Sequence, residues 1–179
     1  MVELGVRAQG LLICFLAQLT IAASAQAQTQ QQLDWCSNRN NPTPDQRAEA
    51  CTAAIHSGRY TGVNLAIVFN NRCWAHIDRQ DLEKALADCN EAIRINPQEP
   101  HAYYNRGNIY LRRNELDRAI SEYDQAIRVD PRKAWAYANR GLAYERKGEK
   151  ERAIADFRQA YALGDAQAAD DLRRLGVTP

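Results

Sequence analysis

The chain has 179 residues, with 23 basic and 22 acidic side chains and a formal net charge of +1. That balance excludes an electrostatic case for binding nucleic acid or an anionic membrane surface. Hydrophobic residues at 45% and charged ones at 25% are the proportions of an ordinary folded soluble domain.

In chain order the first feature is an apolar run, Leu11-Leu12-Ile13-Cys14-Phe15-Leu16-Ala17, preceded by Arg7. Ala23-Ser24-Ala25 and Ala25-Gln26-Ala27 follow, and both fit the small-x-small cleavage pattern. Residues 1–25 are therefore predicted to be a secretory signal peptide, with the mature chain starting near Gln26 or Gln28 and Cys14 leaving with the signal. The run is shorter than the ~20 apolar residues a membrane span needs, and Gln18 and Thr20 interrupt it. No stable membrane insertion is expected after cleavage. Four cysteines remain, Cys36, Cys51, Cys73 and Cys89. An exported chain meets an oxidising compartment, so disulfides are expected, and four cysteines allow three connectivities. No Asn-x-Ser/Thr acceptor occurs, since proline excludes Asn41-Pro42-Thr43. That absence points to a periplasmic or secreted bacterial protein rather than a glycosylating secretory route.

Residues 26–62 form an N-terminal segment. It opens on a polar Gln/Ala/Thr tract (26–33) and continues through a loop at Asn38–Asn41. A helix near 44–57 follows. Thr43-Pro44-Asp45-Gln46 supplies a cap, a first-turn proline and a capping-box glutamine, and Gly58 ends the helix.

Beyond Asn64 the chain repeats. Asn71-Arg72-Cys73, Asn105-Arg106-Gly107 and Asn139-Arg140-Gly141 recur every 34 residues, as do Lys84-Ala85-Leu86, Arg118-Ala119-Ile120 and Arg152-Ala153-Ile154. A fixed period of this size marks a repeat array, and such arrays usually bind rather than catalyse. Phe69, Arg72, Cys73 and His76 share one helical face, as do Tyr103, Arg106, Gly107 and Tyr110, and then Tyr137, Arg140, Gly141 and Tyr144. After breaks at Arg79-Gln80, Arg113-Asn114 and Lys147-Gly148, a second helix carries Ala85, Cys89 and Ala92, then Ala119, Tyr123 and Ala126, then Ala153, Phe157 and Ala160. Pro97, Pro131 and Gly164 stop these second helices. Three antiparallel helix pairs are thus predicted within 63–165, at about 66–99, 100–133 and 134–165, with a capping helix and tail over 166–179. Gly107, Ala119 and Ala126 are expected where a pair comes closest, and Tyr103, Tyr110 and Tyr123 are expected to fill space toward the next unit. Helices joined near Gln80 would set Cys73 opposite Cys89. That favours Cys36–Cys51 and Cys73–Cys89, the alternative being buried free thiols. Glu115, Arg118 and Glu122 read as helix pairs on a solvated outer face.

Tyr103, Gly107, Tyr110, Ala119, Tyr123, Ala126 and Pro131 together resemble the tetratricopeptide repeat family, and the resemblance extends over 66–165. With Cys36 and Cys51 ahead of the array, the chain resembles exported proteobacterial members. In the first unit Cys73, His76 and Cys89 stand where the family has Gly, Tyr and an aromatic residue. The resemblance implies an all-α, right-handed α-solenoid of antiparallel helix pairs, about three units with an N-terminal helix and a C-terminal capping helix. It also implies that the first helix of each pair lines a concave groove for a peptide. Asn71, Asn105 and Asn139 would hydrogen-bond the peptide backbone. Asn70, Trp74, His101, Tyr104, Asn108 and Trp135 are expected on the same wall, with Ile67. Chaperone-binding members clamp a terminal carboxylate with basic residues. Those places hold Asn70, Trp135 and Asn139 here, so an acidic C-terminal tail is not the expected ligand.

No catalytic constellation accompanies the array. His56, His76 and His101 are scattered, no C-x-x-C occurs, and no phosphate loop or nucleophile elbow is present. No enzyme activity, metal or cofactor is expected. The expected partner is an unidentified protein or peptide, with an adaptor or assembly role. The alternatives are a glycan or small-ligand binder using Trp74, Tyr104 and Trp135, and a self-associating structural module.

Overall fold

A computed structural model describes residue 31 and residues 34–179. The predicted signal peptide, Cys14 and most of the polar tract at 26–33 lie outside the described residues. All regular structure among the described residues is helical. The helices are α1 (Pro44–His56), α2 (Gly62–Asp78), α3 (Leu82–Ile95), α4 (Pro100–Arg112), α5 (Leu116–Val129), α6 (Ala134–Arg146), α7 (Lys150–Ala162) and α8 (Gln167–Arg174). α2 packs on α3, α4 on α5 and α6 on α7. Each pair stacks on the next, while α1 leans on α2 and α8 on α7. This is the expected helix-pair solenoid.

Local chemistry sets the helix ends. Thr43 Oγ1 accepts from the Gln46 N–H at 3.2 Å and Gln46 Oε1 from the Thr43 N–H at 2.9 Å, the reciprocal box that starts α1. Within each pair the turn is the same. Gln80, Asn114 and Gly148 take left-handed backbone (φ 62°, 59° and 80°). The N–H groups of Asp81, Glu115 and Glu149 then reach back to the carbonyls of His76, Tyr110 and Tyr144, each at 2.9 Å. Only the third turn uses glycine, so the hydrogen-bonding pattern holds the other two in a conformation that costs an L-residue ~1–2 kcal/mol. Between pairs, Asn96 and Asp130 side chains accept from the Gln98 and Arg132 N–H groups at 3.1 and 3.0 Å, turning the chain around Pro97 and Pro131.

Each pair closes on one small-against-large contact. A Cβ added at Gly107 would lie 2.6 Å from Tyr123 Cε1, and one at Gly141 would lie 2.9 Å from Phe157 Cε1. Tyr123 thus fills its own pair, and it also clusters with Ala143 of the next unit, as the sequence suggested. Tyr110 belongs to the same cluster, its hydroxyl accepting from Arg118 Nη2 at 2.8 Å. In the first pair the corresponding residues, Cys73 and Cys89, are bonded to each other, with Cα atoms 5.5 Å apart. A covalent bond there replaces the ring that the other two pairs pack against glycine. Cys36 and Cys51 form the second disulfide, tying the segment before α1 to that helix.

The recurring arginines bind the layers together. Arg72 grips Asp88 through Nε and Nη2 at 2.8 and 2.7 Å, Arg140 grips Asp156 at the same two distances, and Arg106 holds Glu122 at 2.9 Å. Each also reaches the preceding layer: Arg72 to Thr52 at 3.1 Å, Arg106 to Asn90 at 2.8 Å and Arg140 to Asp124 at 2.5 Å. Asp156 at its side raises the Arg140 pKa still further above its ordinary value. Glu122 is accordingly a half-buried tie between helices and not part of a solvated outer pair. At the far end α8 buries Ala168, Ala169 and Leu172 and leaves Arg173 and Arg174 in water, as a cap should.

Two stability predictions follow from this packing. Gly107→Ala should overpack the Tyr123 ring and cost about 1–3 kcal/mol in a denaturant titration. Replacing both Cys73 and Cys89 by alanine should cost about 2–4 kcal/mol. The Cys73→Gly, Cys89→Tyr pair, which copies the second unit, should recover part of that loss.

Candidate functional site

The first helices α2, α4 and α6 wall a concave groove of about 820 Å³. Eight of the nine groove residues expected from the sequence line it: Asn70, Asn71, Trp74, His101, Tyr104, Asn105, Asn108 and Trp135. Asn139 does not. It borders an adjoining recess of about 290 Å³ with Asn108, Leu111, Arg112, Leu142 and Arg146.

The recurrence of asparagine has a structural cause that sequence reasoning missed. Asn105 Nδ2 donates to Asn70 Oδ1 at 2.9 Å, and both residues are buried. Asn139 Nδ2 donates to the Tyr104 hydroxyl and to Asn108 Oδ1, each at 2.9 Å. The Tyr123 hydroxyl donates to the same Asn108 oxygen at 2.8 Å. These amides lock neighbouring first helices in register, so much of their hydrogen-bonding capacity is already used. Asn71 keeps its amide free among the described residues. Asn108 keeps its NH₂ group and Asn139 its carbonyl oxygen.

The aromatic wall is supported from behind. The Arg47 guanidinium lies 3.9 Å from the Trp74 ring centroid, bonded to Asn38 Oδ1 at 2.9 Å and to Asp78. Arg47 is 3% exposed, whereas Trp74 retains 37% of its surface on the groove side. A cation stacked on one face of an indole fixes its plane for contact on the other. Trp135 sits 4.4 Å from Tyr104 and 5.1 Å from His101, ring centroid to centroid. Nothing in the sequence linked Arg47 to Trp74, because the two are on different helices and outside the repeat register.

Charged groups complete the lining. Asp78, Glu99, Arg112, Asp130 and Lys133 were not anticipated, since helix ends and inter-unit loops supply them. Glu99 accepts from the His101 ring at 2.8 Å and from its N–H at 3.2 Å, and the ring contact foremost holds its carboxyl below the usual range. The Arg132 N–H, with Lys133 nearby, does the same for Asp130. Among the described residues no group of three or more His, Cys, Asp or Glu is placed to hold a metal ion. No described helix is long and apolar enough to cross a membrane.

His76 is away from the groove, buried in the position that Tyr110 and Tyr144 occupy in later units. Its Nδ1 has no hydrogen-bond partner, and burial lowers its pKa from 6.5 despite Asp88 at 3.7 Å. A histidine kept neutral by the fold stabilises fully above its unfolded pKa of 6.5, and that contribution is lost as pH falls through the lower folded value. The thermal midpoint should therefore drop between pH 7 and pH 5, and His76→Tyr should flatten that drop.

Family models described as TPR repeat and tetratricopeptide repeat match residues 75–113 and 107–148, and residues 136–168, respectively. Nothing among curated proteins matches the chain. Among the solved structures similar to it are these three. The first TPR of Spaghetti (RPAP3), bound to the HSP90 peptide SRMEEVD, is 21% identical over 66% of this chain and 96% of its own, with a TM-score of 0.61. The Arabidopsis OM64 TPR domain is 27% identical over 64% of this chain and 96% of its own, with a TM-score of 0.61. MamA is 23% identical over 83% of this chain and 85% of its own, with a TM-score of 0.65.

Proposed function

Through residues 75–168 the chain belongs to the tetratricopeptide repeat family, and from that premise we propose that it is an exported adaptor or assembly factor that binds an extended segment of a partner protein in its concave groove. The observation that carries this reading is the groove wall itself. Trp74 and Ile67 remain 37% and 40% exposed there, beside Tyr104 and Trp135. Apolar rings gathered in a concavity are costly in water and are covered when a partner docks. Asn71, the Asn108 NH₂ and the Asn139 carbonyl offer donors and an acceptor to a main chain of any sequence.

RPAP3 holds a peptide ending in acidic residues and valine. This chain lacks the basic set that family members use for a terminal carboxylate, so its ligand is of a different kind. Export is supported by the apolar leader with its small-residue boundary and by two disulfides that an oxidising compartment would maintain. The aromatic and amide lining of the groove favours binding over chemistry.

The test is a crosslinked pull-down from a bacterial envelope fraction, comparing the mature chain with an Ile67→Asp, Asn71→Ala variant. Both positions face the groove without supporting the fold. The variant should lose specific proteins that the wild type retains, with affinity down at least about tenfold from the lost apolar burial. Equal recovery would move binding out of the groove, and a retained glycan in place of a protein would replace the reading. Chain recovered from the same fraction should begin at Gln26 or Gln28 by mass and resist thiol alkylation until reduced.

A further inference from the structure

The charges along the groove are not evenly answered. Its acids all have partners: Asp78 with Arg47, Glu99 with His101 at 2.8 Å, and Asp130 with Lys133 at 3.4 Å. Arg112 lines the same groove and makes no ion pair or hydrogen bond among the described residues. It closes α4, and Arg146, 34 residues on, closes α6. Both border the 290 Å³ recess that opens beside the groove, which no acidic side chain lines. Arg146 uses one N–H on the Leu111 carbonyl at 3.3 Å and has the rest of its guanidinium to offer.

A last-turn arginine also suits the helix dipole, and Arg94 on α3 is an example. Arg94, however, is paired with Glu91 at 2.6 Å on an outer helix, whereas Arg112 and Arg146 converge on a concavity unopposed. Their polar neighbour adds to the same preference. Asn108 Oδ1 already accepts from Tyr123 and Asn139, so the group it has left is its NH₂ donor. In the first unit the equivalent place is Asp78, which buried Arg47 answers from α1, so no free cation faces the groove there.

We propose that Arg112, Arg146 and the Asn108 amide form an anion subsite over the second and third units, and that the bound segment carries an aspartate or glutamate side chain that reaches it. The inference rests on the peptide-binding reading above and specifies its ligand as acidic within the segment rather than at a chain end. Guanidinium groups suit a carboxylate because their N–H groups match its two oxygens in plane.

The test uses a display library of random twelve-residue peptides, selected separately on the mature chain and on an Arg112→Glu, Arg146→Glu variant. Peptides held by the wild type should be enriched in Asp or Glu, and the variant should select Lys or Arg instead. Arg112→Glu alone removes no contact within the fold, and it should weaken a selected acidic peptide by about tenfold or more. Selected peptides with no acidic preference, or a preference that survives charge reversal, would overturn the subsite and leave the groove reading standing. A library from which neither protein selects any peptide would overturn both.

Discussion

A carboxylate gripping an arginine across two helices, repeated at every helix pair, is the interaction on which the rest of this molecule depends. Arg72, Arg106 and Arg140 leave their first helix, take an acid sixteen residues later on the second, and touch the layer before. Burying an ion pair is favourable only when its geometry is close to ideal and its remaining groups are satisfied. Here the two buried acids, Asp88 and Asp156, are each held at two points. Phe69, Tyr103 and Tyr137 lie 5.5–5.7 Å from the three guanidinium groups. With the inner side of each first helix committed in this way, its opposite side is turned to the groove. The aim of Trp74, Tyr104 and Trp135 therefore follows from contacts made behind them.

The first unit solves the same packing problem with different chemistry. Where later units seat an aromatic ring on glycine, it has a disulfide, and where they place a tyrosine, it buries a histidine whose Nδ1 has no hydrogen-bond partner. α1 is more than a spacer in this arrangement. It sends Arg47 beneath Trp74, neutralises Asp78, and is itself held to the preceding segment by Cys36–Cys51. The groove's wall at this end is therefore built partly by residues outside the repeats.

Most of the fold was legible in the sequence because its determinants are local or strictly periodic. The Thr43 box, the breaks at Gln80, Asn114 and Gly148, and the stops at Pro97 and Pro131 are short-range chemistry, and helices begin and end beside them. The face of each first helix could be read from its 34-residue step, and eight of the nine residues expected on that face border the 820 Å³ groove. What could not be read were contacts whose partners the repeat does not set. Arg47 with Trp74 joins two helices of different origin. The side-chain bonds of Asn105 and Asn139 reach back 31–35 residues, so recurrence alone could not tell a ligand-binding amide from a structural one. Arg112 and Arg146 carried no signal in the sequence, because their significance lies in the absence of an acid nearby, which only the folded arrangement reveals.

The covalent links are confined to one end of the array. Among the described residues both disulfides lie within residues 36–89, while the second and third pairs and α8 are held by packing, hydrogen bonds and ion pairs. In a stacked solenoid each layer is stabilised chiefly by its neighbours, and layers can open separately. Amide hydrogen exchange should consequently run as a gradient, fastest in α8 and slowest around Cys73 and Cys89. A chain built this way loosens from its C-terminal end, and the Arg112–Arg146 recess, walled by α4 and α6, lies outside the layers that the disulfides brace.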